Sequence, residues 1–219
     1  MAVKLPIVKH GALLTFGKSP VRGEVKTRMQ PLLGDDGALA LHEALLADAV
    51  ARMERLAGVA DGYLYLTAPA QGIFSVPVRV QEGRDLGERL ENAFARAFAD
   101  GYARVCALGL DSPAIEDGAI ASAFEKLGDH DLAIGPCDDG GYYLIGLRRM
   151  EPAIFRGIAW GGERVFDDTR RIAEGLGRSV AVLPCSFDVD RPEDLARLRG
   201  ALDPRIAPRT HSFVEARAC

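Results

Sequence analysis

The chain of 219 residues lacks any long apolar run. No stretch approaches the ~20 consecutive apolar residues that a membrane-spanning helix needs. Residues 1–10 hold two lysines and an apolar run interrupted by proline, which is not typical of a secretory signal. The sequence therefore predicts a cytoplasmic protein with no membrane partner.

A large excess of either charge is also missing. The 27 basic and 31 acidic residues give a formal net charge of −4. Nucleic-acid-binding proteins generally carry a basic excess or a basic face, so this balance argues against a nucleic-acid partner. With 48% hydrophobic and 26% charged residues, the composition is that of an ordinary globular protein.

Cysteine and histidine are scarce, with four residues of each. No Cys-x-x-Cys pair or histidine cluster occurs, so zinc is not expected. A serine hydrolase is disfavoured because the Gly-x-Ser-x-Gly elbow is absent and few histidines exist to act as the base. Cysteines with this spacing suit a reducing compartment.

What the chain does contain is a repeated order of strand and helix signals. Short apolar runs such as residues 105–110 alternate with segments of helical periodicity such as residues 38–57 and 86–100. This order predicts a single α/β domain over residues 1–203. We expect a three-layer α/β/α sandwich whose sheet is mostly parallel.

Two regions depart from that alternation. Residues 132–134 and 142–147 read as strands joined by a loop too short for a helical crossover, so an antiparallel pair should make the sheet mixed. Residues 204–219 show little periodicity, and we expect them to form a loosely ordered C-terminal tail.

Two aspartates, Asp111 and Asp190, follow predicted strands. In open parallel sheets the ligand crevice lies beyond the carboxyl ends of the strands. Two carboxylates at that edge can hold one Mg²⁺ or Mn²⁺ and leave coordination places for substrate phosphates. Either aspartate could instead cap the helix that follows it, and the two roles are compatible.

A basic loop, residues 17–28, follows the first predicted strand. It carries Lys18, Arg22, Lys26 and Arg28, and glycines that can present backbone N–H groups to phosphate. The loop is not a Walker A motif, because the upstream glycine is missing. It is either a diphosphate-binding loop or a solvated surface loop.

A glycine-containing turn lies between the two strands of the predicted antiparallel pair. Gly140 and Gly141 let the backbone approach a ligand closely, and Tyr142 follows them. Asp138 and Asp139 could accept hydrogen bonds from sugar hydroxyls, or one could act as a base. The alternative is a plain hairpin turn, which Asp-Gly favours.

Arg89 lies in the first turn of the helix predicted over residues 86–100. Together with the helix N-terminus it could contact a nucleotide. The alternative is that the segment is simply a helix start.

In this order, these motifs resemble the glycosyltransferase-A-like nucleotide-diphospho-sugar transferase superfamily. Within it, the chain is most similar to the small bacterial arsenosugar-biosynthesis-type glycosyltransferases. The resemblance covers roughly residues 11–200. The matching segments are residues 16–29, 85–90, 109–113, 135–147, 158–160 and 188–195.

The resemblance implies roles for individual residues. Asp111 and Asp190 match the metal-binding aspartates, and Lys26 and Arg28 match the basic loop that contacts phosphate. The chain departs from the family pattern at Gly109, where a full Asp-x-Asp would place its first aspartate. It also departs at Lys18, where arginine is frequent, and at residues 161–162, a Gly-Gly pair in place of Ser-Thr.

The sequence favours the first of three functions, with the second and third as alternatives. The first is a metal-dependent glycosyltransferase that uses a nucleotide-diphospho-sugar donor and a small-molecule acceptor, with Asp138 or Asp139 orienting the acceptor and Lys26 acting at the diphosphate. The second is a nucleotidyltransferase that couples an NTP to a phosphate- or phosphonate-bearing molecule and releases pyrophosphate. The third is a nucleotide-binding regulator without catalysis. The oligomeric state is left open.

Overall fold

The computed structural model describes residues 9–69 and 74–217, so most of the N-terminal segment considered above lies outside the described residues. The strands are β1 (Lys9–Gly17), β2 (Asp61–Leu66), β3 (Val78–Val80), β4 (Tyr102–Gly109), β5 (Leu132–Pro136), β6 (Tyr142–Leu147) and β7 (Val180–Val182). The α-helices are α1 (Gln30–Arg55), α2 (Leu86–Ala99), α3 (Asp117–Lys126), α4 (Val165–Gly175), α5 (Pro192–Ala201) and α6 (Pro208–Glu215).

All seven strands form one sheet in the order β3-β2-β1-β4-β6-β5-β7. Each pairing is parallel except those of β6, which runs antiparallel to both β4 and β5. Helices cover both faces, so the predicted three-layer sandwich with a mixed, mostly parallel sheet is confirmed. The three-residue edge strand β3 was not predicted.

The core consists of two layers, one on each face of the sheet. Side chains alternate along a strand, so the neighbours Leu13 and Leu14 of β1 enter different layers. One layer packs against α1, α3, α5 and α6, and the other against α2 and α4. Because both faces of the central strands are buried, these strands are continuous apolar runs, which is what made them recognisable in the sequence.

The strand register brings the loops of the site to one edge. Phe16 of β1 lies beside Gly109 of β4 in the parallel ladder. The basic loop therefore leaves β1 at the level where Asp111 leaves β4. The N–H of Leu110 donates to the carbonyl of Phe16 over 3.0 Å and extends this pairing past the end of β4.

The expectation of a loosely ordered segment after Pro204 is wrong for residues 208–215, which form α6. The carboxylate of Asp48 in α1 accepts hydrogen bonds from the backbone N–H groups of Arg209 (3.0 Å) and Thr210 (2.7 Å). Phe213 and Val214 are buried in the core. With eight residues, α6 is too short to show a clear helical period in the sequence, and the contact with Asp48 that holds it comes from a distant part of the chain.

Across the described residues, no helix combines the length and the apolar character required to cross a bilayer.

Candidate active site

Lys26 lies in the loop after β1, where its side chain contacts both Asp111, which follows β4, and Asp190, which precedes α5. Its backbone adopts the left-handed conformation (φ 44°, ψ 42°), which is uncommon for a residue with a side chain. Its side chain is only 3% exposed. The ammonium lies 2.6 Å from Asp111 Oδ1 and 3.4 Å from Asp190 Oδ1. It also donates to the carbonyl of Val189 over 2.6 Å.

Burial opposes the charge on Lys26, but the two carboxylates outweigh it and raise the pKa of the ammonium. Lys26 is therefore a protonated cation at neutral pH. Its left-handed backbone is the sort of local strain that persists only where the surrounding contacts hold it in place.

Asp111 and Asp190 are 79 positions apart in the sequence and meet at this ammonium. The N–H of Val189 donates to the carbonyl of Asp111 over 2.8 Å, which joins the two segments. The side chains of Asp111 and Asp190 keep 39% and 45% of their surface exposed. Both therefore have oxygen atoms that face solvent as well as Lys26.

The described part of the chain contains no group of three or more His, Cys, Asp or Glu side chains arranged to hold a metal ion. Mg²⁺, however, is commonly bound by one or two carboxylates and completed by water and substrate phosphates. Asp111 and Asp190 supply two hard oxygen ligands of that type. The donor set fits Mg²⁺ or Mn²⁺ on this basis, and the roles of both aspartates as ligands stay predictions.

A polar cavity of about 290 Å³ opens above this pair. Lys18, Lys26 and Arg28 give it three cationic side chains against two carboxylates. Arg28 Nη1 lies 3.2 Å from Asp190 Oδ2 and remains largely exposed. The remaining lining residues are Gly17, Thr27 and His42. This composition suits a polyphosphate, as the basic loop predicted.

Sequence reasoning missed His42. It is 3% exposed, and its Nε2 lies 2.9 Å from the carbonyl of Lys18, which can only accept a hydrogen bond. Nε2 therefore carries the proton. Burial lowers the pKa of His42, so the ring is neutral. No local signal marks it, because it lies on a helix face among core residues such as Leu41 and Leu45.

A larger cavity of about 870 Å³ adjoins the first and shares Arg28 and Asp190 with it. The turn between β5 and β6 supplies one wall with Asp138, Asp139 and Tyr142. The remaining lining residues are Leu86, Gly140, Gly141, Trp160, Gly161, Gly162, Glu163, Val165, Asp188, Arg191 and Asp194.

The two aspartates of this turn differ in their contacts. Asp138 is ion-paired with Arg197 of α5. Asp139 Oδ1 accepts the N–H of Gly141 over 2.9 Å and shapes the turn. Gly140 has a φ of 87°, and a Cβ there would collide with the backbone of Glu163. Position 140 therefore requires glycine because the segment before α4 passes close to it, whether or not a ligand binds there.

Asp188 begins the matching segment 188–195 but was not among the predicted site residues. Its carboxylate accepts hydrogen bonds from the fully buried Ser112 and, over 3.5 Å, from Cys137 Sγ. Burial raises the pKa of Asp188 to about 6, and the nearby charges of Asp111 and Asp139 add to the effect. This carboxyl group connects the ends of β4 and β5 beneath the larger cavity.

Two predicted substrate-binding residues are engaged elsewhere in the described structure. Arg22 pairs with Asp35 and Asp36 at the start of α1. Arg89 Nε donates to the carbonyl of Gly83 over 3.1 Å, behind the first turn of α2. Neither appears in the lining of the two cavities described above.

Comparison with known proteins gives two matches by sequence. A family model described as uncharacterized protein conserved in bacteria (DUF2064) matches residues 61–162. A phosphoenolpyruvate guanylyltransferase from Rubrobacter xylanophilus is 32% identical over 135 residues, which is 59% of this chain. That match covers 63% of the guanylyltransferase, somewhat less than two thirds of its length.

The solved structures agree in fold. A protein of Desulfovibrio desulfuricans G20, assigned as a nucleotide-diphospho-sugar transferase, superposes with a TM-score of 0.85 at 32% identity and 94% coverage of both chains. A 4-diphosphocytidyl-2C-methyl-D-erythritol synthase has a TM-score of 0.58 at 15% identity over 90% of this chain and 100% of its own. Rv0371c of Mycobacterium tuberculosis H37Rv, solved with manganese, has a TM-score of 0.54 at 17% identity over 88% of this chain and 98% of its own.

Proposed function

This chain belongs to the nucleotide-diphospho-sugar transferase superfamily, and from that premise we propose that it is a nucleotidyltransferase. It would couple an NTP to a small molecule that carries a phosphate or phosphonate and would release pyrophosphate. A guanylyltransferase relative supports transfer of a nucleotidyl group, and a 4-diphosphocytidyl-2C-methyl-D-erythritol synthase shares the fold.

The observation that carries the proposal is the arrangement around Lys26. One buried ammonium is held by two carboxylates at the mouth of a cationic cavity, and this cavity joins a second, larger one. Two substrates can thus meet at the shared residues Arg28 and Asp190. The smaller cavity suits the triphosphate and the larger one suits the acceptor.

In this reaction an acceptor oxygen attacks the α-phosphorus of the NTP, and the bond to the bridging oxygen of pyrophosphate breaks. Lys18, Lys26 and Arg28 neutralise charge that builds up on the leaving pyrophosphate. Asp139 orients the acceptor from the opposite wall. A Mg²⁺ or Mn²⁺ ion, for which Asp111 and Asp190 are the proposed ligands, would supply further charge neutralisation at the phosphates.

The test measures pyrophosphate release for each of the four NTPs with a panel of phosphate and phosphonate acceptors that includes phosphoenolpyruvate. We expect release with one NTP that depends on the acceptor and on Mg²⁺ or Mn²⁺, and that EDTA stops. If no NTP releases pyrophosphate while an NDP-sugar releases its nucleoside diphosphate, nucleotidyl transfer is the wrong reaction.

Glycosyl transfer is the second candidate. It is favoured by the 94% coverage of the Desulfovibrio protein, which is assigned as a nucleotide-diphospho-sugar transferase. Both reactions use the cationic cavity and the same two aspartates. They differ in the bond that breaks, since glycosyl transfer leaves the diphosphate intact. The leaving group, pyrophosphate or nucleoside diphosphate, therefore separates them.

A further inference from the structure

The larger cavity has more room than a three-carbon acid needs. Its volume is about 870 Å³, against about 290 Å³ for the cationic cavity beside it. Phosphoenolpyruvate, the substrate named for the relative, has only a three-carbon skeleton. Gly161 and Gly162 contribute no side chains to the lining, which leaves the space beside Trp160 open.

Trp160 forms an aromatic wall of this cavity and is held there from two sides. Its ring meets Tyr142 edge-on, with centroids 6.3 Å apart and planes at 85°. Gly87, in the first turn of α2, lies so close to the indole that a Cβ on it would collide with the ring. The neighbouring Leu86 is 41% exposed and adds apolar surface to the same cavity.

The lining carries two arginines and a larger number of carboxylates, and Arg28 is itself ion-paired with one of them, Asp190. Arg28 and Arg191 come from the basic loop and from the start of α5. Asp139 and Glu163 also belong to the lining, and both are exposed. A ligand that crosses this cavity can place one anionic group at the arginines. A second anionic group near Asp139 and Glu163 would be repelled.

We propose that the acceptor carries a single phosphate or phosphonate and an uncharged body with a ring, and that Trp160 is the residue that selects this body. The ring lies against the indole while the anionic group meets Arg28 and Arg191. The inference rests on the proposed function for the identity of the cavity. It predicts discrimination against phosphoenolpyruvate, whose carboxylate is a second anionic group.

Binding can be measured without catalysis, because Trp160 is the single tryptophan of the chain. Its fluorescence therefore reports on this cavity alone. Phenyl phosphate and glucose 1-phosphate would be titrated against phosphoenolpyruvate and inorganic phosphate. We expect a saturable change with a ring-bearing phosphate at a concentration about tenfold lower than with phosphoenolpyruvate, a ratio of the size produced by ~1.4 kcal/mol. Equal or tighter binding of phosphoenolpyruvate or inorganic phosphate overturns the proposal.

Variants test the role of the side chain. Trp160→Ala should raise the KM for the acceptor about tenfold, in line with the loss of one aromatic contact and its buried area. The KM for the NTP should not change. Trp160→Phe should keep most of the affinity, and it also covers the case in which the alanine variant folds poorly. Leu32→Ala is the matched control, since Leu32 is a 59% exposed side chain outside this cavity.

The two proposals fail in different ways. If the protein releases no pyrophosphate from any NTP, the proposed function fails, but the fluorescence titration still decides whether the cavity prefers a ring. If pyrophosphate is released and phosphoenolpyruvate is the best acceptor, nucleotidyl transfer stands and the inference about Trp160 is wrong. An acceptor KM that rises equally in Trp160→Ala and Leu32→Ala would also refute it.

Discussion

Replacing Lys26 with methionine removes one charge from the centre of the site. Methionine is similar in length, so it fills the same space, and its side chain meets the same left-handed backbone. The change therefore isolates the ammonium from packing and backbone strain. Two carboxylates then face each other without the cation, and the carbonyl of the fully buried Val189 loses its donor.

The expected cost follows from these contacts. Breaking a buried ion pair by removing one partner typically costs about 3–5 kcal/mol. Asp111 and Asp190 are 39% and 45% exposed, so water can solvate them and the loss should be smaller. The unsatisfied carbonyl of Val189 adds about 1–3 kcal/mol. We expect Lys26→Met to lower the free energy of unfolding by about 2–4 kcal/mol at pH 7.

Urea denaturation of the wild type, Lys26→Met and Lys18→Met provides the assay. Lys18 is the matched control, because it is exposed and, within residues 9–69 and 74–217, its ammonium donates only to the carbonyl of Glu24 over 3.3 Å. Its replacement should change stability by less than ~0.5 kcal/mol. If Lys26→Met is as stable as Lys18→Met, desolvation of the ammonium cancels its ion pairs, and the site is not held together by Lys26.

Three further predictions concern the site and its frame. Asp131→Asn should lower stability by about 2 kcal/mol at pH 7 in urea denaturation, because hydrogen bonds from Ser179 and two arginines lower the pKa of Asp131 to about 2. Since the folded pKa is depressed, this stabilisation is present above the unfolded value of ~3.9, and the difference should vanish as pH falls towards 2. Gly140→Ala should cost ~2 kcal/mol or more and reduce turnover, because its Cβ would collide with Glu163, and a wild-type melting curve would contradict this. Asp111→Asn should lower turnover ~100-fold or more, and EDTA should abolish turnover of the wild type, which a pyrophosphate assay measures.

The central pair of the site was predictable because it depends on two general rules. Apolar runs mark buried strands, and loops beyond the carboxyl ends of parallel strands share one edge. Asp111 and Asp190 satisfied both rules, and the structure brings them to the same ammonium. Lys26 was predicted to bind phosphate. Its position between the two carboxylates depends on a left-handed backbone conformation, which nothing in the sequence around a lysine indicates.

The rest of the site depends on contacts between distant segments. Arg22 and Arg89 were predicted to bind substrate because they are basic residues near the expected site. In the structure Arg22 forms ion pairs with two carboxylates, and Arg89 donates a hydrogen bond to a backbone carbonyl. His42, by contrast, was not predicted as a site residue. In the structure α1 directs its side chain towards the carbonyl of Lys18 and the cationic cavity. Only the packing of α1 against the end of β1 determines that position.

The single aspartate at the end of β4 bears on the choice between the two reactions. Gly109 stands where a full Asp-x-Asp would begin, and a Cβ there would meet only the carbonyl of Tyr143 at 3.7 Å, an ordinary contact. Packing therefore tolerates a Cβ at position 109. A third carboxylate at this edge would place three negative charges against the two positive charges of Lys26 and Arg28. The structure instead pairs one carboxylate from β4 and one from the segment before α5 with a buried lysine and an arginine. A site with that charge balance is suited to a substrate that brings its own phosphate charges from both sides, as an NTP and a phosphorylated acceptor do.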